Sequence, residues 1–327
     1  MLKMMVRLCL LSCLLCVTAV AVAQTSAPTV TLPILGFVVD NAHQLRPIVG
    51  IPGAASVGTP LELGFEIGSA TIAPGSDYVL ATSPEKASPL LIHLRGAGVL
   101  PTKSLTAEET SVEDFSVSKI TLSPNGSSAA FLSESRGRIY VLTGLPTAPA
   151  VTAELSVEGL GSINTFAVSD GGRSVAVTLS EGENGSVAFL TAGGQPRYIS
   201  SVRHAAAISF LHGSEDAIIA DDVENKIYSF SAGQLLSIAS SDQGIARPVA
   251  IIVSNDNVQI FVANAQSGSV ITIDRNGVVH RPYFCDCKLT GLHPTATEAV
   301  FRLTDFTGGP VLLFDASGPM PRTVFVP

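Results

Sequence analysis

Short apolar segments recur along the chain, and each is interrupted by a small cluster of turn-forming residues. The repeating unit has an apolar strand that ends in a turn, a second apolar strand, a polar loop, a third apolar strand and a looser fourth one. Pairs such as Asn-Gly, Gly-Gly and Asn-Asp separate the segments, which is typical of β-hairpins. Six copies of the unit begin at Ala70, Ile120, Phe166, Ile208, Ala250 and Gly291.

The spacing of the copies indicates the kind of repeat. The last apolar residue before each first turn recurs at steps of 50, 46, 42, 43 and 39 residues, with a mean of 44. This period suits a four-stranded propeller blade, whereas helical repeats would show a 3.6-residue periodicity. The residues compared are Ile72, Leu122, Val168, Phe210, Val253 and Leu292.

The chain length predicts the number of blades. After removal of 23 N-terminal residues, 304 of the 327 remain, which is about seven units of 44. The seventh unit is expected near the N-terminus, where Ile34 to Val39 and Leu45 to Ile51 have the pattern of a hairpin. A propeller ring is often closed by one blade built from both chain ends, and Thr323 to Val326 fits the added strand. We therefore predict an all-β fold, a propeller of seven four-stranded antiparallel blades in one domain (residues 24–327), with six blades and an appendage as the alternative.

Aromatic residues predict how the blades pack. The chain has no Trp, so its 14 Phe residues must supply most of the large packing volume. The inner strands are almost entirely apolar or small, as expected for strands covered on both faces by neighbouring blades. We interpret the following residues as packing between blades and not as an aromatic ligand site: Phe131, Phe189, Tyr228, Phe261, Phe301 and Phe314.

The N-terminal segment has the features of a secretory signal peptide. Lys3 and Arg7 precede an apolar run over residues 8–22, and residues 21–23 (Ala-Val-Ala) form a small-x-small cleavage site. We therefore predict that residues 1–23 are removed and that the mature protein is periplasmic or extracellular.

A lipoprotein signal and a membrane span are the two alternatives for this segment. Cleavage before Cys13 or Cys16 would make a lipoprotein, but Leu15 is too large for the usual motif before Cys16. The apolar run is also too short for a preferred membrane span. No later stretch approaches 18 apolar residues, so no membrane span is expected in the mature chain.

Composition and charge exclude two classes of protein. With 46% hydrophobic and only 14% charged residues, the chain is not expected to be intrinsically disordered. It has 27 acidic and 19 basic residues and a net charge of -8, whereas a nucleic-acid-binding protein needs a basic surplus. No nucleic-acid partner is therefore predicted.

The turn motifs resemble those of a known group of proteins. Residues 122–126 (Leu-Ser-Pro-Asn-Gly) and 168–172 (Val-Ser-Asp-Gly-Gly) are similar to the strand-Ser-Pro-Asp-Gly signature of bacterial β-propellers of the YVTN, lactonase-like and TolB-like kinds. Residues 261–264 (Phe-Val-Ala-Asn), followed by 270–274 (Val-Ile-Thr-Ile-Asp), resemble the Tyr-Val-Thr-Asn repeat. The resemblance covers about residues 34–327 and implies an architecture. It implies no single activity, because these signatures encode turns and packing.

Two cysteines remain in the mature chain, Cys285 and Cys287. Thiols tend to oxidise in an export compartment. On an extended strand the two would share a face with α-carbons about 6.5 Å apart, near the upper limit for a disulfide. We favour a loop disulfide between the fourth strand of one blade and the first strand of the next. A redox-labile pair, or a soft-metal site completed by His280 or His293, are the alternatives.

Acidic residues recur in the loops between second and third strands, which propeller geometry places on one face. Eight acids against Lys86 and Arg136 would make this face negative, able to attract a cationic ligand, a basic partner segment or a weakly held Ca²⁺. No loop has a calcium-binding spacing, so no cofactor is predicted, and ordinary loop polarity is the alternative. The eight acids are Glu85 and Glu134 together with six candidate ligand-binding residues, Glu181, Glu183, Asp221, Asp222, Glu224 and Asp305.

Motifs of several propeller enzymes are absent from the sequence. There is no Trp to stack a quinone cofactor, no Cys-x-x-Cys-His for haem and no Gly-x-Ser-x-Gly elbow. The six histidines are scattered without a spacing that implies a shared site. Our leading hypothesis is a secreted or periplasmic non-catalytic binding or scaffold module for a protein, peptide or small ligand. The alternative that the resemblance allows is a lactonase-like hydrolase with a metal-dependent site in the central funnel.

Overall fold

Seven antiparallel β-sheets follow one another along the chain in the computed structural model of the protein. The structure describes residues 32–96, 98–99, 103–105, 117–181, 184–285, 287–306 and 309–327, so the predicted signal peptide lies outside the described residues. Pro33–Pro327 form one unit. In the described part of the chain the helical segments are two short 3₁₀ turns, Glu134–Arg136 and Ser241–Gln243, and no helix could cross a membrane.

Each sheet is one blade, and the blades are numbered here in chain order. Blade one contains β1 (Ile34–Val39), β2 (Leu45–Val49) and β3 (Ser56–Val57). Blade two contains β4 (Ser69–Ile72), β5 (Tyr78–Ser83), β6 (Lys86–Arg95), β7 (Gly98–Val99) and β8 (Lys103–Ser104). Blade three contains β9 (Lys119–Leu122), β10 (Ser128–Ser133), β11 (Arg138–Thr143) and β12 (Ala150–Ser156). Blades four and five contain β13 (Ser162–Val168), β14 (Ser174–Glu181), β15 (Asn184–Thr191) and β16 (Arg197–Ile199); and β17 (Ala205–Phe210), β18 (Ala217–Asp221), β19 (Lys226–Ser231) and β20 (Gln234–Ala239). Blades six and seven contain β21 (Pro248–Val253), β22 (Gln259–Asn264), β23 (Ser269–Asp274) and β24 (Tyr283–Phe284); and β25 (His293–Pro294), β26 (Val300–Arg302), β27 (Val311–Asp315) and β28 (Arg322–Val326).

The blades form a closed ring, which confirms the seven-bladed propeller. Seven buried apolar clusters lie between consecutive blades, and one of them joins blade seven to blade one. In blade two, β7 pairs with the C-terminal end of the ten-residue β6 and β8 pairs with its middle, so the two together occupy the place of a fourth strand. Blade one has three strands among the described residues.

The predicted closure by strand exchange is wrong. β28, which contains the segment assigned to this role, pairs with β27 and completes blade seven itself. The ring closes instead by packing of side chains such as Leu35 of blade one against Val311 and Val326 of blade seven. The amide of Val57 in blade one also donates to the carbonyl of Pro327 at 3.3 Å. The C-terminal strand stays in blade seven, because without β28 the edge of β27 would be unpaired.

One hydrogen bond defines the first turn of six blades. The amide of the residue after the first strand donates to the carbonyl five residues later, as from Ser123 to Ser128 at 2.9 Å and from Ser254 to Gln259 at 2.8 Å. The serine hydroxyl accepts a bond from the same distal residue, which explains why Ser starts these turns. Gly126 follows with φ +74, a conformation that favours glycine.

The same hydrogen bond corrects one repeat alignment. In blade seven the donor is Thr295 and the acceptor is Val300, at 3.2 Å. The residue equivalent to Val253 is therefore Pro294, and the assignment of Leu292 to this position is wrong by two residues. The sequence misled because Leu292 is apolar, whereas Pro294 occupies the last strand position in spite of lacking an amide proton.

The aromatic residues pack between blades, as predicted. Phe189 of blade four stacks on Phe230 of blade five with ring centroids 4.4 Å apart. Phe261 of blade six meets Phe301 of blade seven at 4.8 Å. All six aromatic residues assigned to packing are buried: Phe131, Phe189, Tyr228, Phe261, Phe301 and Phe314.

A buried carboxylate anchors the last hairpin of the ring. Asp315 is 5% exposed and accepts hydrogen bonds from the amide and hydroxyl of Ser317 and from the guanidinium of Arg322. Burial acts to raise the pKa of Asp315, but these donors outweigh it and hold the pKa below 3.8. The ionised form therefore stabilises the folded state above this pH, and the contribution is lost as the pH falls through the lowered pKa.

Asp315→Asn is expected to lower the stability at neutral pH and to flatten its fall in acid. Between neutral pH and values below 3.8, the variant should lose less free energy of unfolding than the wild type, as measured by urea unfolding at each pH. Asp242→Asn, on an exposed turn, is the matched control. If the free energies of unfolding of the Asp315 variant and the wild type fell in parallel with pH, the stabilising role of the ionised carboxylate would be contradicted.

Candidate functional site

A pocket of about 990 Å³ lies on the axis of the ring. The last residues of six inner strands line it, from blades two to seven, so it is open at the face that carries the turns between first and second strands. We call this the turn face (residues 73–77, 123–127, 169–173, 211–216, 254–258 and 295–299). The wall includes half-buried aliphatic side chains that also pack against the clusters between blades, among them Ile72, Leu122, Ile208 and Ile252.

Hydrogen bonds between blades hold the rim of the pocket. The carboxylate of Asp170 accepts from the amide of Asn125 at 2.8 Å and from the amide of Gly213 at 2.7 Å, so it joins three successive blades. Asn257 bonds both the amide and the carbonyl of His212, at 2.8 and 3.0 Å. The turn motif at residues 168–172 predicts a turn at Asp170 but not these contacts between blades.

The rim of the pocket is acidic. The titratable side chains that line it are His212, Asp256 and Glu298, and none of the described lining residues is Lys or Arg. Hydrogen bonds from the Ser254 hydroxyl and the Val258 amide hold the pKa of Asp256 below its usual value, so this exposed group is ionised at neutral pH. The arrangement suits an apolar body inside the pocket and a positive charge at its mouth.

The predicted acidic loops lie on the opposite face. We call it the loop face (residues 84–85, 134–137, 222–225 and 265–268), since the loops between second and third strands leave the other end of each sheet. Asp221 is fully buried there and accepts four backbone hydrogen bonds, from Arg203, His204, Val223 and Glu224, at 2.7 to 3.3 Å. Its carboxylate shapes the loop and is not free to bind a ligand.

Two other predicted acids of the loop face, Glu224 and Asp305, have cationic partners. Glu224 pairs with Arg203 at 3.2 Å and Lys226 at 3.4 Å, and these hydrogen bonds hold its pKa below the usual value. Asp305 lies 3.3 Å from Arg302. The side chain of Glu181 and the whole of Glu183 lie outside the described residues.

Asp305 belongs to a separate group in blade seven. It is 3.7 Å from His293, whose side chain is 42% exposed. Burial and the nearby Arg302 lower the pKa of His293 to about 4, against the opposing effect of Asp305. His293 is therefore neutral at neutral pH. The structure thus brings Asp221, Asp222 and Glu224 into one loop and leaves Asp305 in another blade.

Polar side chains of blades three, four and five lie close together on the loop face. His204 Nδ1 lies 2.5 Å from Asp222 Oδ1, and its Nε2 lies 3.3 Å from the side-chain amide of Asn164. Lys119 Nζ donates to the carbonyls of Ile163 and Asn164 at 3.3 and 3.5 Å. Asp222 orients the imidazole so that Nε2 can accept a proton. No group of three potential metal ligands occurs among the described residues.

The two cysteines form a disulfide in the connection from blade six to blade seven. Their α-carbons are 5.2 Å apart, closer than the strand estimate, because β24 ends at Phe284 and the chain bends after it. His280 pairs with Asp274 at 2.8 Å.

Comparisons with known proteins show what fold the chain has but not what activity it has. No protein-family model matches the chain, and no curated protein matches its sequence. A functionally unknown protein from Desulfotomaculum acetoxidans DSM 771 is similar with a TM-score of 0.58 and 14% identity over 90% of this chain and 95% of that one. A streptogramin B lyase is similar with a TM-score of 0.55 and 14% identity, over 79% and 82% of the two chains. Hydrazine synthase from Kuenenia stuttgartiensis has a TM-score of 0.55 and 10% identity, over 94% and 99%.

Proposed function

We propose that the protein is a non-catalytic binding module whose axial pocket takes a small amphiphilic cation. The observation that carries this proposal is the pocket itself, whose volume of about 990 Å³ is that of a small-molecule site. Its aliphatic wall would hold the apolar part of the ligand. Asp256 and Glu298, on the adjacent blades six and seven, would attract the positive end at the rim.

This proposal moves the binding site from the loop face to the turn face. Among the described acids first expected to bind a cationic ligand, Asp221 is buried, and Glu224 and Asp305 are paired with cations. The rim acids of the pocket are exposed. An exposed carboxylate next to an apolar cavity is better placed to bind a cation than one that already accepts four backbone hydrogen bonds.

Octyltrimethylammonium is expected to bind more tightly than octyl sulfate, measured by isothermal titration calorimetry. Leu122→Arg would place a bulky positive group on the pocket wall and remove apolar contacts with the ligand. It should weaken binding by at least about tenfold, which corresponds to the loss of a few buried methylene contacts. Asp256→Asn and Glu298→Gln should each weaken it by about threefold, as for exposed charges.

Leu236→Arg is the matched control, because Leu236 is 66% exposed on the outer strand β20, away from the pocket. Circular dichroism would establish that both arginine variants are folded. Equal affinity of the Leu122 variant and the Leu236 control would remove the pocket from consideration, and preference for the sulfate would remove the cationic ligand.

We infer a second candidate function, ester or lactone hydrolysis, from the Asp222–His204 pair. His204 Nε2 would take a proton from water, the resulting hydroxide would add to the carbonyl carbon, and the leaving alkoxide would recover the proton from the imidazole. Asn164 contacts the same nitrogen at 3.3 Å, so water would have to replace this amide. The streptogramin B lyase with the same fold supports only the general point that enzymes use this architecture.

His204→Gln is expected to reduce hydrolysis of p-nitrophenyl acetate and simple lactones by about 10²-fold or more, assayed with and without added Mn²⁺ or Ca²⁺. Asp222→Asn should reduce it less, since it only loses the orientation of the ring. His280→Gln, whose imidazole pairs with Asp274 elsewhere, is the control. Absence of hydrolysis by the wild type, or equal rates in both histidine variants, would eliminate this candidate.

We also propose that the chain is an exported bacterial propeller of the kind its turn motifs resemble. The support is the signal-like segment 1–23 and the two cysteines of the remaining chain. N-terminal sequencing of the secreted protein should begin at Gln24, and a retained Met1 would contradict export by cleavage.

A further inference from the structure

The disulfide between Cys285 and Cys287 lies at the outer part of the ring, where blade six ends. Cys285 directly follows β24, and its amide donates to the carbonyl of Gly268 at 2.9 Å. Both cysteines are half-buried against the cluster between blades six and seven. Because neither cysteine is fully buried, the disulfide is partly accessible to solvent.

The chain on either side of the disulfide is held by other contacts. Upstream, Tyr283 pairs with Val270, its hydroxyl accepts a hydrogen bond from the amide of Thr323 at 2.8 Å, and its ring packs 5.5 Å from that of Phe314. Downstream, Leu289 is only 4% exposed. Opening the bond therefore releases neither flank.

The disulfide also does little to restrict the unfolded chain. A single residue separates the two cysteines, and a disulfide stabilises mainly by closing a loop of the unfolded chain, with a smaller effect for a shorter loop. A bond that joined two blades would stabilise the ring far more. The position of this bond thus suits a change of oxidation state within a fold that stays intact.

We propose that Cys285 and Cys287 form a redox-active pair that oxidises the dithiol of another polypeptide. A thiolate of the partner attacks one sulfur of the pair, which breaks the disulfide, forms a mixed disulfide and releases the other cysteine as a thiolate. The second thiolate of the partner then attacks the partner's own sulfur in the mixed disulfide. The partner loses two electrons and becomes a disulfide, and Cys285 and Cys287 gain the two electrons and the two protons.

The first experiment measures the redox equilibrium. The full mature chain is equilibrated in mixtures of reduced and oxidised glutathione, and the state of the pair is read by alkylation and mass spectrometry. We expect the pair to be half reduced within the range of these mixtures, whereas a structural disulfide would resist reduction by glutathione. A pair that stays fully oxidised throughout would overturn the proposal.

The second experiment separates redox exchange from a structural role. The thermal midpoint of the Cys285→Ser/Cys287→Ser variant should lie within about 3 °C of that of the wild type, because the bond contributes little to stability. A much larger drop would mean that the disulfide supports the fold and would contradict the proposal.

The third experiment uses a synthetic peptide with two reduced cysteines as the partner. The oxidised wild type should convert it to the peptide disulfide in one-to-one stoichiometry, and the double variant should not. With a peptide disulfide as the probe, at least one of Cys285→Ser and Cys287→Ser should trap a mixed disulfide. Peptide oxidation at the same rate with wild type and double variant would assign it to dissolved oxygen and overturn the proposal.

Discussion

Phe261→Ala should lower the free energy of unfolding by about 3–5 kcal/mol, the usual cost of removing a buried phenyl ring. Phe261 is 1% exposed, and its ring lies 4.8 Å from that of Phe301 and 6.5 Å from that of Phe314. It is thus the blade-six member of an aromatic group that fills the space to blade seven. The blades of the ring are joined mainly by such side chains, so a cavity here weakens the contact between blades directly.

Urea unfolding followed by circular dichroism measures this effect. Phe325→Ala is the matched control, because Phe325 is 61% exposed on β28 and its removal opens no cavity. The control should differ from the wild type by less than about 0.5 kcal/mol. If the two alanine variants were equally stable, the wall between blades six and seven would not depend on aromatic packing.

Asp221→Ala should lower the free energy of unfolding by about 3 kcal/mol, because hydrogen bonds to a charged group are worth more than neutral ones and the buried donors would lose their acceptor. The carboxylate accepts hydrogen bonds from two amides in the connection before β17 and from two in the loop after β18. Asp221→Asn should also be destabilising, since its amide group would face backbone donors with donors of its own.

Asp305→Ala provides the comparison for a predicted acid that remains exposed, at 60% of its side chain. We expect a change of less than about 1 kcal/mol, as for a surface ion pair. Urea unfolding of Asp221→Ala, Asp221→Asn and Asp305→Ala compares the three losses of stability. A small effect of Asp221→Ala together with weaker ligand binding would restore Asp221 as a binding residue and contradict its structural role.

The repeat itself holds the signal that Asp221 is structural. Asp221 ends β18 and Asn264 ends β22, so the two occupy the same place in successive blades. Asn264 is also fully buried and accepts a hydrogen bond from the amide of Ala246, in the connection before the inner strand of its blade. Alignment of these two positions would have separated Asp221 from its exposed neighbours. A charge count over the loops could not do so, because it takes no account of burial.

The axial pocket could be foreseen only in part. The apolar ends of the inner strands, such as Ile72 and Leu122, were recognised as repeat markers, but they were interpreted as packing. Whether such a residue is covered or lines an open space depends on how far the inner strands stand from the axis. That distance follows from the packing of all seven blades and not from any one strand.

The sequence by itself determined the strands, the turns, the repeat length and therefore the propeller with seven blades. These features depend on residues within a few positions of one another, as in the serine-initiated turns that end at Gly126 and Gly172. Tertiary structure alone decided which blade closes the ring and which side chains meet across blades. Asp170 reaches residues 45 positions before it and 43 positions after it, and His204 meets Asp222 across 18. Such pairs are brought together by the curvature and packing of the ring, and no local pattern of apolar and polar residues predicts them.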